Sequence, residues 1–250
     1  LKAIREYIID SIDEINAGID KNKDNSGISS SSANIGYIAR LNYAYNNRYL
    51  IELSCRYDGS SLFPENSRWG VFPAALLGWR ISEEAFLKGN PIIDNLKLRA
   101  SWAKLGDNAN IAGFQYLTGY TYPSGSYIFG DDVIPTLLSK GLANPNITWY
   151  TANLYNIGVE FTLWKGLLSG EVDAFYRKRE GLMATRIASL PGTFGASLPQ
   201  ENLNSDDDRG FEILLRHKNK LSKDFSYYVN GNMSFTRSKN RHVEQAKSVN

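Results

Sequence analysis

Catalytic chemistry in this chain would have to come from very few side chains. His217 and His242 are its only histidines and Cys55 its only cysteine. A zinc site needs three or four such ligands at short, regular spacing, and neither histidine has a cysteine or a spaced carboxylate pair beside it. A Ser-His-Asp nucleophile would be announced by a nucleophile-elbow motif, and no such motif is present. One cysteine forms no internal disulfide; flanked by alternating apolar residues, Cys55 reads as a small apolar wall residue. Asp206, Asp207 and Asp208 offer oxygen ligands for calcium but lack the spacing of a calcium loop, so a solvated loop at a strand entrance is the simpler reading. The stretch Gly125 to Gly130 is not followed by the Lys-Ser/Thr pair of a phosphate cradle. No catalytic residue, metal ligand or cofactor is expected, and the chain does not read as an enzyme.

Two other groups of side chains have chemistry to offer. Trp69, Tyr116, Tyr120, Tyr122 and Trp149 sit in or beside long connections, where aromatic faces can stack on sugar rings; packing within the loops is the competing role. Glu52, Arg56, Arg99, Glu160, Asp173, Arg177, Glu212 and Arg216 fall at every second position of strand-like segments and so share a polar face. With 28 basic and 26 acidic residues nearly cancelling, nothing in the charge balance points to nucleic acid as a partner.

The segments that carry these residues repeat a two-residue rhythm. In 49–58, Tyr49, Ile51, Leu53, Cys55 and Tyr57 take one face, and Leu50, Glu52, Ser54, Arg56 and Asp58 the other. Similar strands are expected at 34–45, 71–81, 94–105, 152–163, 167–178, 209–217 and 224–235. Asn46-Asn47 supplies a tight turn between the first two, because Asn tolerates the left-handed backbone. Pro73 removes a ladder donor and predicts a bulge or an irregular start to the third strand. Ahead of the strands, Leu1, Ile4, Ile8, Ile12 and Ile15 are spaced as a weak amphipathic helix, followed by a polar, flexible stretch at 21–33.

The connections alternate shorter (46–48, 82–93, 164–166, 218–223) and longer (1–33, 58–70, 106–151, 179–208), with 82–93 and 58–70 the nearest in length. Short turns at one end and long loops at the other are the mark of an outer-membrane barrel wall. No run of about 18–20 apolar residues is present, which excludes a helical membrane protein. Aromatics gather near both strand ends: Tyr43, Tyr45, Tyr49, Trp79, Phe161 and Phe225 near the turns, and Tyr57, Trp102, Tyr176, Phe211 and Phe235 near the loops. Rings settle at headgroup level, so these sets read as two girdles. The expected fold is all-β: an antiparallel transmembrane β-barrel wall of about eight meandering strands. A soluble all-β carbohydrate-binding or adhesion module is the alternative, and it would require a second sheet covering the apolar face.

Residues 56–84, RYDGSSLFPENSRWGVFPAALLGWRISEE, and 94–106, DNLKLRASWAKLG, resemble barrel motifs of the SusC/RagA family of TonB-dependent outer-membrane transporters. Residues 153–178, NLYNIGVEFTLWKGLLSGEVDAFYRK, and 209–215, RGFEILL, are similar to its later strands. The resemblance implies a barrel of about 22 strands with an N-terminal plug. It also implies a bacterial outer-membrane location in contact with lipid, import of glycans or oligopeptides, a SusD-like surface lipoprotein as lid, and the TonB complex as energy partner. No secretory leader, plug or TonB box is visible, and the chain ends on Ser248-Val249-Asn250. The expectation is an internal barrel section, incomplete at both ends: 1–33 an extracellular loop with a possible short helix, 34–235 the barrel section, and 236–250 the start of the next extracellular loop.

One register can be expected from charge alone. Pairing Asp173 with Arg216 also sets Arg177 against Glu212 and Phe175 against Leu214, since opposed positions in an antiparallel pair have a constant sum.

Overall fold

The computed structural model describes residues 31–244 other than 110, 123, 125, 187–192 and 194. The helix expected within 1–20 lies outside the described residues. Eight long strands form one antiparallel sheet: β1 (Asn34–Tyr45), β2 (Tyr49–Ser60), β3 (Trp69–Arg80), β4 (Ile93–Asp107), β9 (Tyr150–Leu163), β10 (Leu168–Thr185), β11 (Gln200–Lys220) and β12 (Ser226–His242). Between β4 and β9 the chain adds four short strands: β5 (Tyr120–Thr121), β6 (Ser126–Phe129), β7 (Asp132–Pro135) and β8 (Leu138–Ser139). The long strands lie in sheet order β1-β2-β3-β4-β9-β10-β11-β12, each beside its chain neighbour. This is a section of barrel wall in which, among the described residues, β1 and β12 are open edges.

No second sheet of comparable size covers the apolar face among the described residues. Tyr37, Leu41, Tyr43, Ile51, Leu53, Leu77, Ile157, Val229 and Met233 are all exposed. A soluble protein rarely shows so continuous an apolar surface, whereas a barrel wall offers it to lipid. The largest fully buried apolar side chains, Phe63 and Ile147, belong to a small cluster with Ile111, packed by Tyr116, Trp149 and Met183. This cluster ties the connections 61–68 and 108–149 to each other and, through Met183, to the loop end of β10.

The tight turn at Asn46 and Asn47 forms as expected, with φ of 49° and 57°. The strands lengthen mainly at the long-loop end. β10 runs on to Thr185, β11 begins at Gln200, and β12 continues to His242, where the start of a loop was expected from 236. The connection between β10 and β11 thus shrinks from 179–208 to 186–199. The missed portions, such as Gln200–Asp208, carry polar residues at consecutive positions. Strand projecting beyond lipid has water on both faces and needs no alternation. The Asp206–Asp208 run is therefore strand and not a solvated loop entrance: Asp207 and Asp208 are buried at 5% and 3% exposure.

The lengths of connections also need correction. The turn-end link 81–92 is longer than the loop-end link 61–68, so the alternation is not strict. The longer link is nonetheless compact. Backbone amides of Glu84, Leu87 and Lys88 donate to Ile81, Glu84 and Glu84, at 3.1, 2.9 and 2.8 Å. Glu84 accepts from Tyr49 Oη at 2.8 Å, Trp79 Nε1 at 3.0 Å and Arg48 at 3.3 Å, fastening the link to the turn-end aromatics. These hydrogen bonds, first from Trp79 and then from Tyr49, hold its carboxyl below the usual range.

Pro73 causes no bulge toward β2, where pairing runs unbroken from Tyr49↔Trp79 to Gly59↔Trp69. The effect falls on the other side. The β3–β4 ladder begins at Ala74↔Ala103 and runs only toward the turns, so it ends at the residue next to the ring that lacks a donor. Phe72, buried, fills the gap; a β-carbon on Gly106 would collide with its ring.

The β10–β11 register differs from the charge-matched expectation. Asp173 lies opposite Glu212, Arg216 opposite Ser169, and Arg177 opposite Asp208. The longer strands explain the change. Extending both past the expected ends brings Arg177 and Arg179 onto Asp208 and Asp206. These two buried or half-buried pairs outweigh the exposed pairs that the shorter strands offered, each worth about 0.2–1 kcal/mol.

Candidate functional site: a charged wall beneath aromatic loops

Residues paired directly across strands share a face. By this rule Glu52, Arg56, Arg99, Glu160, Asp173, Arg177, Glu212 and Arg216 all project from the polar face. The centre of the face is a network across β4, β9 and β10. Arg99 reaches Asp173 at 2.5 Å, Glu160 at 3.5 Å and Glu171 at 3.5 Å, and Lys97 reaches Glu160 at 3.2 Å. Gly158 makes room for it, since a β-carbon there would strike both Asp173 and Arg99. Two like-charge pairs, Glu160↔Glu171 and Asp173↔Glu212, lie directly opposed. Such pairs repel, and Arg99, set between three of the four carboxylates, offsets most of that repulsion.

Nearer the edges the charges pair locally. Glu52 meets Arg40 at 3.4 Å, Arg56 meets Asp58 at 2.7 Å, and Arg216 Nε donates to Asn230 at 3.2 Å. Glu212 has no ion-pair partner among the described residues. At the loop end, Arg177 Nε donates to Asp208 at 2.9 Å and Arg179 Nε to Asp206 at 2.7 Å. Ser238 also donates to Asp208. Ser238 first, then Arg177, hold the Asp208 carboxyl below its usual range. Lys97, Glu171, Asp206, Asp208 and Arg179 belong to this wall although they were not among the candidates. Alternation made Lys97 and Glu171 findable; the other three lie in strand that carries no alternation.

The five aromatic candidates part company. Trp69 opens β3 on the apolar face, stacked on Tyr57 at 4.7 Å and near Tyr37 at 6.4 Å. That places it in the loop-end girdle. Trp149 packs on Phe63 and Phe72 at 4.9 and 5.5 Å and donates to the Arg68 carbonyl at 3.1 Å. Tyr116 donates to the Ser61 carbonyl at 3.4 Å and packs on the same cluster. Both are half-buried loop-packing residues. Tyr120, 69% exposed on β5, and Tyr122, 39% exposed, keep free faces.

Sequence reasoning missed the β6–β7 hairpin. It turns through Gly130 at φ 65° and pairs Tyr127 with Ile134 and Ile128 with Val133. Tyr127, Ile128, Phe129 and Val133 are exposed by 65% or more. The Gly-Asp pair between short apolar runs is the signal that could have found it.

Residues 5–249 match the family described as TonB dependent receptor-like, beta-barrel. The chain belongs to that family. TonB-dependent receptor SusC of Bacteroides thetaiotaomicron is 34% identical over 203 residues, covering 80% of this chain and 20% of its own. TonB-dependent receptor P39 of Formosa agariphila is 35% identical over 197 residues, covering 79% and 18%. The chain thus spans about a fifth of the length of these relatives. Among solved structures, the RagAB peptide transporter shares the fold with a TM-score of 0.73 at 22% identity, over 88% of this chain and 23% of that one. The siderophore receptor PirA of Pseudomonas aeruginosa gives 0.52 at 15% identity, over 84% and 35%. The family's barrels lie in the bacterial outer membrane, and the SusC/RagA resemblance read in the sequence holds.

Proposed function

We propose that this chain is a wall section of an outer-membrane importer for oligomeric nutrients, glycans or oligopeptides. In that reading the polar face of the sheet looks into the lumen and the apolar face into lipid. The 34% identity to SusC across most of the chain carries the proposal. The uncovered apolar face speaks against a soluble binding module.

The parts take distinct roles. The lumenal charges form a hydrated, nearly neutral lining along which a polar oligomer moves. Tyr120 and Tyr122 offer their free faces to the substrate near the mouth, while Trp149 and Tyr116 hold the loop in place behind them. The apolar tip of the β6–β7 hairpin is the contact for a SusD-like surface lipoprotein that acts as lid. Energy comes from the TonB complex through a plug and TonB box belonging to the whole receptor.

Uptake by cells carrying the full-length receptor tests this, with panels of oligosaccharides and of oligopeptides as sole nutrients. Growth on one panel that is lost on deleting the receptor supports import, and growth unaffected on both refutes it. Tyr120→Ala with Tyr122→Ala should weaken binding by about 1–3 kcal/mol without changing the amount of folded receptor. Ile128→Asp should reduce recovery of the lid lipoprotein with the receptor.

A further inference from the structure

At the loop end of β10, β11 and β12 the apolar face changes character. The Tyr155–Tyr176 and Phe211–Phe235 ring pairs, at centroid distances of 6.3 and 5.7 Å, mark the girdle there. Opposite Tyr176 stands Arg209, and opposite Arg209 stands Arg237. The next row outward is Lys178, Asp207 and Lys239, a step of roughly 7 Å along the strand. Arg241 lies beyond it. Residues that point to lipid lower down thus give way to a cationic ledge at headgroup height.

The ledge is a built feature. Asp207, only 5% exposed, accepts from Arg241 at 2.5 Å and from the Tyr176 hydroxyl at 3.2 Å. Its other oxygen, Oδ1, is buried with no hydrogen-bond partner. Lys178 is matched by Glu180 at 2.7 Å. Arg209, Arg237 and Lys239 have no carboxylate within ion-pair distance among the described residues. Two of them, Arg209 and Arg237, are directly opposed, an arrangement that repels unless an anion lies between. Together with Arg241, Asp207 and Ser238 they line a cleft of about 260 Å³.

We infer that this ledge binds the phosphate of an anionic lipid in the outer leaflet, its acyl chains lying along Phe211, Phe235 and Met233 below. Guanidinium groups suit phosphate because they grip two oxygens at once. The apolar strip that continues directly beneath the cations favours a lipid over a free anion. This rests on the odd-numbered face of β11 and β12 being the lipid face, a point settled separately by Met233→Cys in a Cys55→Ser background and its modification by a bilayer-confined thiol reagent.

The test uses the full-length receptor purified in neutral detergent, with phosphatidic acid, phosphatidylcholine or inorganic phosphate added before native mass spectrometry. Phosphatidic acid should stay bound at least roughly tenfold better to the natural protein than to the R209A/R237A/K239A variant. The R209K/R237K variant, which keeps the charges but loses the two-oxygen grip, should fall between the natural protein and the triple variant, and inorganic phosphate should not displace the lipid. Resistance to SDS without heating identifies variants that have folded. Equal lipid retention by the folded triple variant overturns the inference. So does displacement by equimolar inorganic phosphate, which would mark a free-anion site. Loss of the lid lipoprotein with lipid retention unchanged also overturns it, assigning the ledge to a protein partner.

Discussion

Asp208 shows how a single carboxylate can be misread. In the sequence it ends an acidic triplet that looks solvated; in the fold it is buried between Arg177 and Ser238. Its folded value lies below its ordinary one, so the stabilisation it brings is complete above about pH 4 and is lost as pH falls through the folded value. Hydrogen exchange at the loop end of β10–β12 should therefore rise on going from pH 6 to pH 3, after correction for intrinsic rates. Asp208→Asn should remove its own share of that dependence, leaving the share of Asp207 and Asp206, which pair with Arg241 and Arg179, and weaken this end by about 1 kcal/mol at neutral pH. Lower in the wall, Leu53 lies midway between the Tyr49 and Tyr57 girdle positions. Leu53→Arg should cost roughly 2–4 kcal/mol in the full-length receptor, and Ser54→Arg, on the polar face, under about 1 kcal/mol. Equal losses in folding titrations would mean that the faces are exchanged.

At the scale of elements, the sequence revealed most where one face must be apolar. The centres of β1, β2, β4 and β9 were legible because lipid on one side and water on the other force an alternation. The loop-end parts of β10, β11 and β12 were not, since strand with water on both sides has no such constraint. The register of β10 on β11 failed for the same reason: of the pairs that decide it, Arg177–Asp208 and Arg179–Asp206, all but Arg177 lie in the illegible part. In a Cys55→Ser background, Asp173→Cys with Glu212→Cys should cross-link readily, because directly opposed residues sit about 4.5–5.5 Å apart at Cα. Asp173→Cys with Arg216→Cys should not. Efficient bridging of the second pair and none of the first would restore the charge-matched register. In the candidate site, the polar-face charges were legible by parity. Which aromatics keep a free face was not, because it depends on how Phe63, Ile111 and Ile147 meet across distant loops.

For the whole molecule, the decisive property is what the sheet leaves uncovered. Among the described residues the sheet has two open edges and an apolar face without a partner, which are sites for uncontrolled association. Expressed without the rest of the receptor, the section should enter inclusion bodies or need detergent. A monomeric, cooperatively folding product in plain buffer, measured by light scattering and denaturant titration, would contradict the barrel reading. Fold class was the most legible level of all, because one repeated physical demand writes it into the centre of each long strand.

The interrupted ladder beside Pro73 gives this wall a seam. Toward the turns, β3 and β4 are stitched by backbone pairing; toward the loop end the ladder stops and the Phe72 ring lies against Gly106. A cylinder slit at its rim yields locally when pushed, while the uncut portion keeps its roundness. Peptides covering Trp69–Phe72 should therefore exchange their amide hydrogens faster than those covering Ala74–Trp79 in the assembled receptor, and comparable rates would show the seam to be closed. In the proposed importer, a lid or a bulky passenger bearing on the rim would find the wall giving way first beside Pro73.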